Sequence, residues 1–155
     1  MIYLGNGTYT FTELPFFVEV GKYTSIGENC RFVNPHTHLC VKNRKCVYTT
    51  NWDQPDSNID KIKIGNDVWI GEGVKIIPPV TIGDGAIIGA YTVLAKDVPS
   101  FSVVVGNPQV VKRIRFTNKQ IERLKKMEWW NWDKDTIEKR KEDMKDIDVF
   151  IQKYG

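Results

Sequence analysis

The chain has 155 residues, of which 41% are hydrophobic and 26% charged, and its formal net charge is +3. These values are typical of one soluble globular unit with at most a small appendage, and no apolar run approaches the ~20 residues that span a membrane. The small net charge gives no case for a nucleic-acid partner, and the N-terminal MIYLGNGTYTF lacks the basic and apolar regions of a signal peptide.

A six-residue rhythm of apolar residues starts near Leu14. Val20, Ile26 and Phe32 follow it at equal spacing, and a glycine directly follows the first two of these three. We expect the rhythm to mark short strands separated by tight turns.

Residues 33–61 lose the rhythm. This segment holds many turn-forming residues, the two histidines of the chain, and Cys40 and Cys46. Because long irregular stretches in compact domains are usually functional or disordered, and insertions into repeat folds cluster on one face, we interpret it as an ordered loop beside a site. With Cys30 the cysteines number three and show no CxxC spacing, which predicts reduced thiols in a cytoplasmic protein.

The rhythm returns without a break between residues 64 and 99. An aliphatic residue occupies every sixth position, a small or β-branched residue lies four positions after each, and Gly or Ala directly follows five of the six: Ile64, Ile70, Ile76, Ile82, Ile88 and Leu94; then Val68, Val74, Val80, Ala86, Thr92 and Val98; then Gly65, Gly71, Gly83, Gly89 and Ala95. A period of six fits neither a helix nor an irregular meander, and it predicts a parallel β-helix with one strand and one turn per repeat. The aliphatic side chains should stack one coil apart, and the glycines should supply the unusual dihedral angles of the turns.

The C-terminal part is predicted to be helical. Thr117 and Gln120 form a capping-box pattern that opens a helix to about Met127. The sequence EWWNW at 128–132 is interpreted as packing the C-terminal helices against the β-helix, with sugar stacking as the alternative. From Asp133 onward, apolar residues at helical spacing predict one amphipathic helix: Ile137, Met144, Ile147, Ile151 and Tyr154. We therefore expect a β-helical domain over 1–116, including the loop 33–61, and a helical extension over 117–155.

One stretch, IGNDVWIGEGVKIIPPVTIGDGAIIGAYTVLAKDVPSFSVVVGNP, resembles the hexapeptide-repeat acyltransferases. The later EWWNWD is similar to the xenobiotic acetyltransferase-like branch, which includes streptogramin and chloramphenicol acetyltransferases and sugar or polysaccharide O-acetyltransferases. The resemblance runs from about Val18 to the C-terminus. It implies a left-handed coil, which the general preference for right-handed crossovers would not predict. It also implies a homotrimer, acetyl-CoA in a groove between neighbouring prisms, and a histidine base.

The two histidines, His36 and His38, are the candidate bases. Transfer of an acyl group from a thioester to a hydroxyl needs a proton acceptor near neutral pH, and the ordinary histidine pKa suits this role. The resemblance favours His36, with His38 as the alternative. A thioester is already activated, so no metal is required, and two histidines are fewer than the three ligands that a catalytic zinc usually takes.

The resemblance also implies a cofactor site. It points to Trp69, to backbone donors near Glu72 and Ala90, and to Ala95 with Lys96. Small residues, including Gly89, would let the pantetheine arm approach the coil closely. The phosphates would meet three cations, Lys96, Lys112 and Arg113. The alternatives are subunit packing for Trp69 and solvated side chains for the cations.

The acceptor-binding candidates are Trp52, Asp53 and Asp56, in the loop. We expect an acetyl-CoA-dependent O-acetyltransferase acting on a sugar hydroxyl of a surface polysaccharide or its precursor. The alternatives are an antibiotic O-acetyltransferase, an N-acetyltransferase of a nucleotide-linked amino sugar, and a non-catalytic trimeric binding module.

Overall fold

The computed structural model of the chain describes residues 1–5, 7–33 and 61–155. Over these ranges the chain forms short strands first and helices afterwards. The strands are β1 Ile2–Gly5, β2 Thr8–Thr10, β3 Val18–Val20, β4 Ser25–Ile26, β5 Arg31–Phe32, β6 Ile62–Ile64, β7 Trp69–Ile70, β8 Lys75–Ile76, β9 Val80–Ile82, β10 Ile87–Ile88, β11 Val93–Leu94, β12 Ser102–Val105 and β13 Val110–Ile114.

From β3 to β11, successive strands pass to successive sheets, and every third strand returns to the same sheet. Sheet I has the order β3-β6-β9, sheet II the order β1-β2-β4-β7-β10-β12-β13, and sheet III the order β5-β8-β11. Pairing is parallel except between β1 and β2 and between β12 and β13. This is the winding of a three-sided parallel prism, as the period of six predicts. We name its corners I–II, II–III and III–I after the sheets that each one joins.

The repeat side chains stack inside the prism in the predicted register. Ile64 pairs with Ile82, Ile70 with Ile88, and Ile76 with Leu94, always 18 positions apart. All six are buried, and each contributes roughly 1.5–3 kcal/mol of hydrophobic stabilisation.

The loop is inserted at corner III–I. Val20 pairs with Ile64 and Ile26 with Ile70, in both cases 44 positions apart instead of 18. The step from Phe32 to Ile64 therefore holds 26 residues more than a regular step. The coil before the loop and the coil after it remain in register, so the change of phase in the sequence is a local insertion.

The glycines after the repeat residues have a different role from the one we predicted. Positive φ occurs two positions later, as at Asp67 (53°) and Tyr91 (58°). A Cβ on Gly71 would lie 2.7 Å from the backbone nitrogen of Ala90, in the next coil. These glycines permit close approach of neighbouring coils, and the expectation that they supply the unusual turn dihedrals is wrong.

Three α-helices follow the strands in the described part of the chain: α1 Asn118–Met127, α2 Lys134–Arg140 and α3 Ile147–Tyr154, with 3₁₀ turns at Trp129–Asn131 and Asp143–Lys145. Both bonds of the predicted capping box at Thr117 are present. The single helix predicted from Asp133 onward is wrong, because the chain breaks into α2 and α3. The Asp146 carboxylate starts α3 by accepting the N–H groups of Asp148 and Val149. None of these helices has the length and apolarity needed to cross a membrane.

A second apolar cluster joins the helices to the prism. Phe101 of the prism is buried with Leu124, Trp130 and Phe150. The ring of Trp129 lies 5.1 Å from that of Tyr23, and Trp132 packs on Phe150 and Tyr154. The tryptophans of 128–132 thus pack the helices onto the prism, as the sequence predicts.

Candidate functional site

The segment with both histidines leaves the prism at corner III–I. The Val33 N–H donates to the Ile76 carbonyl (2.9 Å), and the Ile77 N–H donates to the Leu94 carbonyl (2.8 Å). The next two coils therefore present residues 77–79 and 95–97 at this corner. The catalytic candidates His36 and His38 and the acceptor candidates Trp52, Asp53 and Asp56 lie outside the described residues.

Corner II–III brings together three of the predicted cofactor residues, Glu72, Gly89 and Ala90. The Tyr91 N–H donates to the Glu72 carbonyl (2.8 Å), and the Tyr91 hydroxyl donates to Glu72 Oε1 (3.0 Å). This hydrogen bond, together with the negative charge of Glu72, raises the pKa of Tyr91. Ala90 and Tyr91 are exposed, so the corner presents a backbone edge with little side-chain cover on the side of Ala90.

Tyr91 was not anticipated from the sequence. It is 67% exposed, and its positive φ places its ring over Gly73, where a Cβ would lie 2.5 Å from the ring. An aromatic ring also covers an earlier glycine at Phe101, over Gly85, but there the two residues are 16 positions apart instead of the 18 between Gly73 and Tyr91. The unequal spacing explains why the pattern is hard to find in the sequence.

Corner III–I carries Ala95 and Lys96 at the end of β11, the outer strand of sheet III. Their N–H groups both donate to Gln109 Oε1, at 2.7 and 3.0 Å, and Gln109 Nε2 donates to the Lys96 carbonyl at 2.9 Å. The backbone amides expected to face the cofactor here are therefore engaged by a side chain. Gln109 was missed in the sequence, where its one signal is its position directly after Gly106-Asn107-Pro108.

Trp69 and Arg113 share one outward row of sheet II. Trp69 pairs with Ile87, Ile87 with Val103, and Val103 with Arg113. Three strand spacings put the two about 14 Å apart along the sheet. Trp69 is 49% exposed, and Lys112 and Arg113 are exposed in β13. The predicted cofactor residues thus form two groups, one along β11 and its two corners and one on the adjoining face of sheet II.

Two further ionisable groups are of note, Asp67 at corner I–II and Cys30 at corner II–III. Asp67 borders a cavity of about 260 Å³ between the prism and the helices. Burial raises its pKa to about 6, although the Arg115 guanidinium 3.9 Å away opposes the shift. Burial also raises the pKa of the Cys30 thiol, which donates to the Gly71 carbonyl at 3.2 Å. Within the described ranges no three His, Cys, Asp or Glu side chains are grouped to hold a metal ion.

The repeat region matches a known family. The family model of the bacterial transferase hexapeptide (six repeats) matches residues 61–96. Over 128 residues the chain is 36% identical to a probable macrolide acetyltransferase from Lysinibacillus sphaericus, covering 76% of this chain and 71% of that protein. It is 34% identical over 128 residues to a chloramphenicol acetyltransferase from Morganella morganii, covering 76% and 61%. The chain thus spans about six to seven tenths of the length of these relatives.

A solved structure has the same architecture. The hexapeptide-repeat-containing acetyltransferase from Vibrio cholerae superposes with a TM-score of 0.52 at 29% sequence identity, over 64% of this chain and 52% of that one.

Proposed function

Because the chain belongs to the family of hexapeptide-repeat acetyltransferases, we propose that it is an acetyl-CoA-dependent O-acetyltransferase. The proposed acceptor is a sugar hydroxyl of a surface polysaccharide or its precursor. The observation that carries the proposal is the grouping of Glu72, Gly89 and Ala90 at one end of β11 with Ala95 and Lys96 at the other. This edge ends at the corner from which the segment with both histidines departs.

The proposed chemistry is direct transfer. His36, as neutral imidazole, accepts the proton of the acceptor hydroxyl while the hydroxyl oxygen attacks the thioester carbonyl. Backbone N–H groups at the coil edge stabilise the oxyanion. The carbon–sulfur bond then breaks, and the CoA thiolate takes the proton from the imidazolium. His38 is the alternative base.

The cofactor is proposed to lie along β11, with Lys96 near its sulfur end and with its phosphates near Lys112 and Arg113 on sheet II. All three cations are exposed, and charge-assisted hydrogen bonds to phosphate are among the stronger polar contacts. Trp69 would border the same groove. The left-handed coil, the homotrimer and a groove closed by a neighbouring copy are implied by the resemblance, and all three belong to this proposal. The supply of acetyl-CoA favours a cytoplasmic location.

An antibiotic acceptor is the second candidate. Its support is the 36% and 34% identity to proteins named as macrolide and chloramphenicol acetyltransferases. The two candidates share the donor, the base and the cofactor edge, and they differ in what residues 33–61 contact.

An acceptor screen tests the proposal. The protein is incubated with acetyl-CoA and sugars, nucleotide-linked amino sugars, chloramphenicol or macrolides, while release of free thiol is followed. We expect turnover with a sugar, and a loss of about 100-fold or more in kcat for His36→Ala with a smaller change for His38→Ala. Turnover confined to an antibiotic would replace the sugar proposal with the second candidate. Full turnover by both histidine variants would exclude the proposed base.

A further inference from the structure

We infer that Gln109 occupies the place of a pantetheine amide of acetyl-CoA and sets cofactor affinity by competing with it. This inference rests on the proposed function, since it assumes that the cofactor lies along β11. It concerns a residue for which that function by itself assigns no role.

The contacts of Gln109 are those of a ligand amide. Its Oε1 accepts two backbone N–H groups, from Ala95 (2.7 Å) and Lys96 (3.0 Å), and its Nε2 donates to the Lys96 carbonyl (2.9 Å). A carboxamide offers one carbonyl acceptor and an N–H donor, and each secondary amide of the pantetheine arm offers the same pair. Of this pair, the carbonyl of an arm amide can accept the same two N–H groups, but the N–H of a trans secondary amide points away from its carbonyl and cannot also reach the Lys96 carbonyl. The Gln109 side chain therefore occupies the acceptor position that a carbonyl of the arm would take at this corner.

The edge of sheet III explains why these groups need a partner. β11 is the outer strand of that sheet, and in the described residues no further coil covers it. The Val93 N–H donates to the Gly106 carbonyl (3.1 Å), so the first half of the edge is closed by backbone. The second half is closed by the Gln109 side chain. An extended ligand can displace a side chain by rotation about its χ angles, whereas displacing the Gly106 carbonyl requires the chain to move.

The surroundings of Gln109 favour its displacement by a ligand. Ala95, Lys96 and Asp97 are exposed, and Gln109 itself is only half-buried. A ligand whose site is open for only a fraction of the time binds with an apparent affinity reduced by that fraction. Removing the Gln109 side chain should therefore tighten cofactor binding.

Calorimetric titration with two ligands tests this. CoA carries the pantetheine arm, and adenosine 3′,5′-bisphosphate carries phosphates and adenosine without it. For Gln109→Ala we expect CoA to bind about tenfold more tightly than to the wild type, with unchanged affinity for the bisphosphate. Gln109→Asn, whose shorter side chain cannot span the same contacts, should likewise bind CoA more tightly than the wild type and leave the affinity for the bisphosphate unchanged. Gln152→Ala, on the exposed face of α3, is the matched control and should match the wild type for both ligands.

The outcomes separate the inference from the proposed function. If CoA binds the wild type and Gln109→Ala equally, or the variant more weakly, Gln109 is a structural cap of the strand edge and the inference is wrong. Equal tightening of CoA and bisphosphate also contradicts it, because the arm is then not involved. Binding of CoA to the variants alone supports it. If neither the wild type nor any variant binds CoA, the proposed function fails and the inference with it. Thermal unfolding verifies that each variant folds. If Gln109→Ala does not fold, the CoA affinity of Gln109→Asn tests the inference instead.

Discussion

The glycines of the prism let neighbouring coils approach closely because glycine has no Cβ. A Cβ on Gly71 would lie 2.7 Å from the backbone nitrogen of Ala90, while a Cβ on Gly89 would lie 2.8 Å from Cγ1 of Val105. The first obstacle is backbone and the second is the end of a side chain, so the two positions differ in how far they can adapt.

We expect Gly71→Ala to lower the free energy of unfolding by about 3 kcal/mol and Gly89→Ala by about 1 kcal/mol. Denaturant titration followed by circular dichroism measures both. Equal losses would mean that the neighbouring coils adapt as easily through backbone as through side chains.

The carboxylate of Asp67 is largely buried, which affects its pKa. Its pKa of about 6 lies above the ordinary value of 3.8, so between these pH values the folded chain binds more protons than the unfolded chain. Stability must then fall as pH rises through this window, and the loss is complete above about pH 6. About a third of the side chain (34%) is exposed, so solvent screening reduces the effect.

Asp67→Asn should therefore stabilise the protein at pH 7.5, by about 1 kcal/mol, and leave it unchanged below pH 4. Asn tolerates the positive φ of this position, so the backbone is preserved. Thermal unfolding across pH 4–8 is the measurement. Destabilisation at pH 7.5 would show that the ion pair with Arg115 outweighs the cost of burial.

The start of α1 could be predicted from the sequence, whereas the break between α2 and α3 could not. The capping box at Thr117 depends on residues three positions apart, so the start of α1 could be predicted. Apolar residues continue at helical spacing from Ile137 through Met144 to Ile151, which hides the break. It is fixed by the Asp146 cap and by the bonds of Asp143 to Lys153 and Tyr154, which need the folded arrangement.

Asp146→Ala tests the cap of α3. Loss of an N-cap carboxylate that accepts two N–H groups should cost about 1 kcal/mol, because Phe150 and Ile151 of the same helix are buried. Asp135→Ala, in the first turn of α2 and not its cap, is the control and should cost at most a few tenths. Denaturant titration compares the two. A similar cost for both variants would indicate that the cap does not define α3.

Across the whole molecule, the coils of the six-residue repeat could be predicted from the sequence, whereas contacts made from outside the repeat could not. Register, sheet assignment and the buried stack follow from a period of six, because each repeat meets its own equivalent one coil away. Gln109 contacts Ala95 from outside the repeat, and no periodicity places it there. The division between residues 116 and 117 stays a prediction, since Phe101 of the prism and Leu124 of α1 share one cluster.

The exposed face of sheet II predicts self-association. Among the described residues of this sheet, apolar side chains are exposed at six positions, which are Ile2, Leu4, Trp69, Val110, Val111 and Ile114. We expect light scattering to give three times the mass of the chain, and Trp69→Glu to lower that mass. Lys63→Glu, on sheet I, should leave it unchanged. A wild-type monomer would exclude a groove shared between copies.

We propose that the edge along β11 holds acetyl-CoA with its thioester toward the segment that carries the histidines. A crystal structure of the protein with CoA tests it most directly. We expect the pantetheine arm along residues 89–96, the sulfur near Lys96 at the departure point of residues 33–61, and the phosphates near Lys112 or Arg113 beyond corner II–III. CoA bound on another sheet face or between the helices, with this edge untouched, would contradict it.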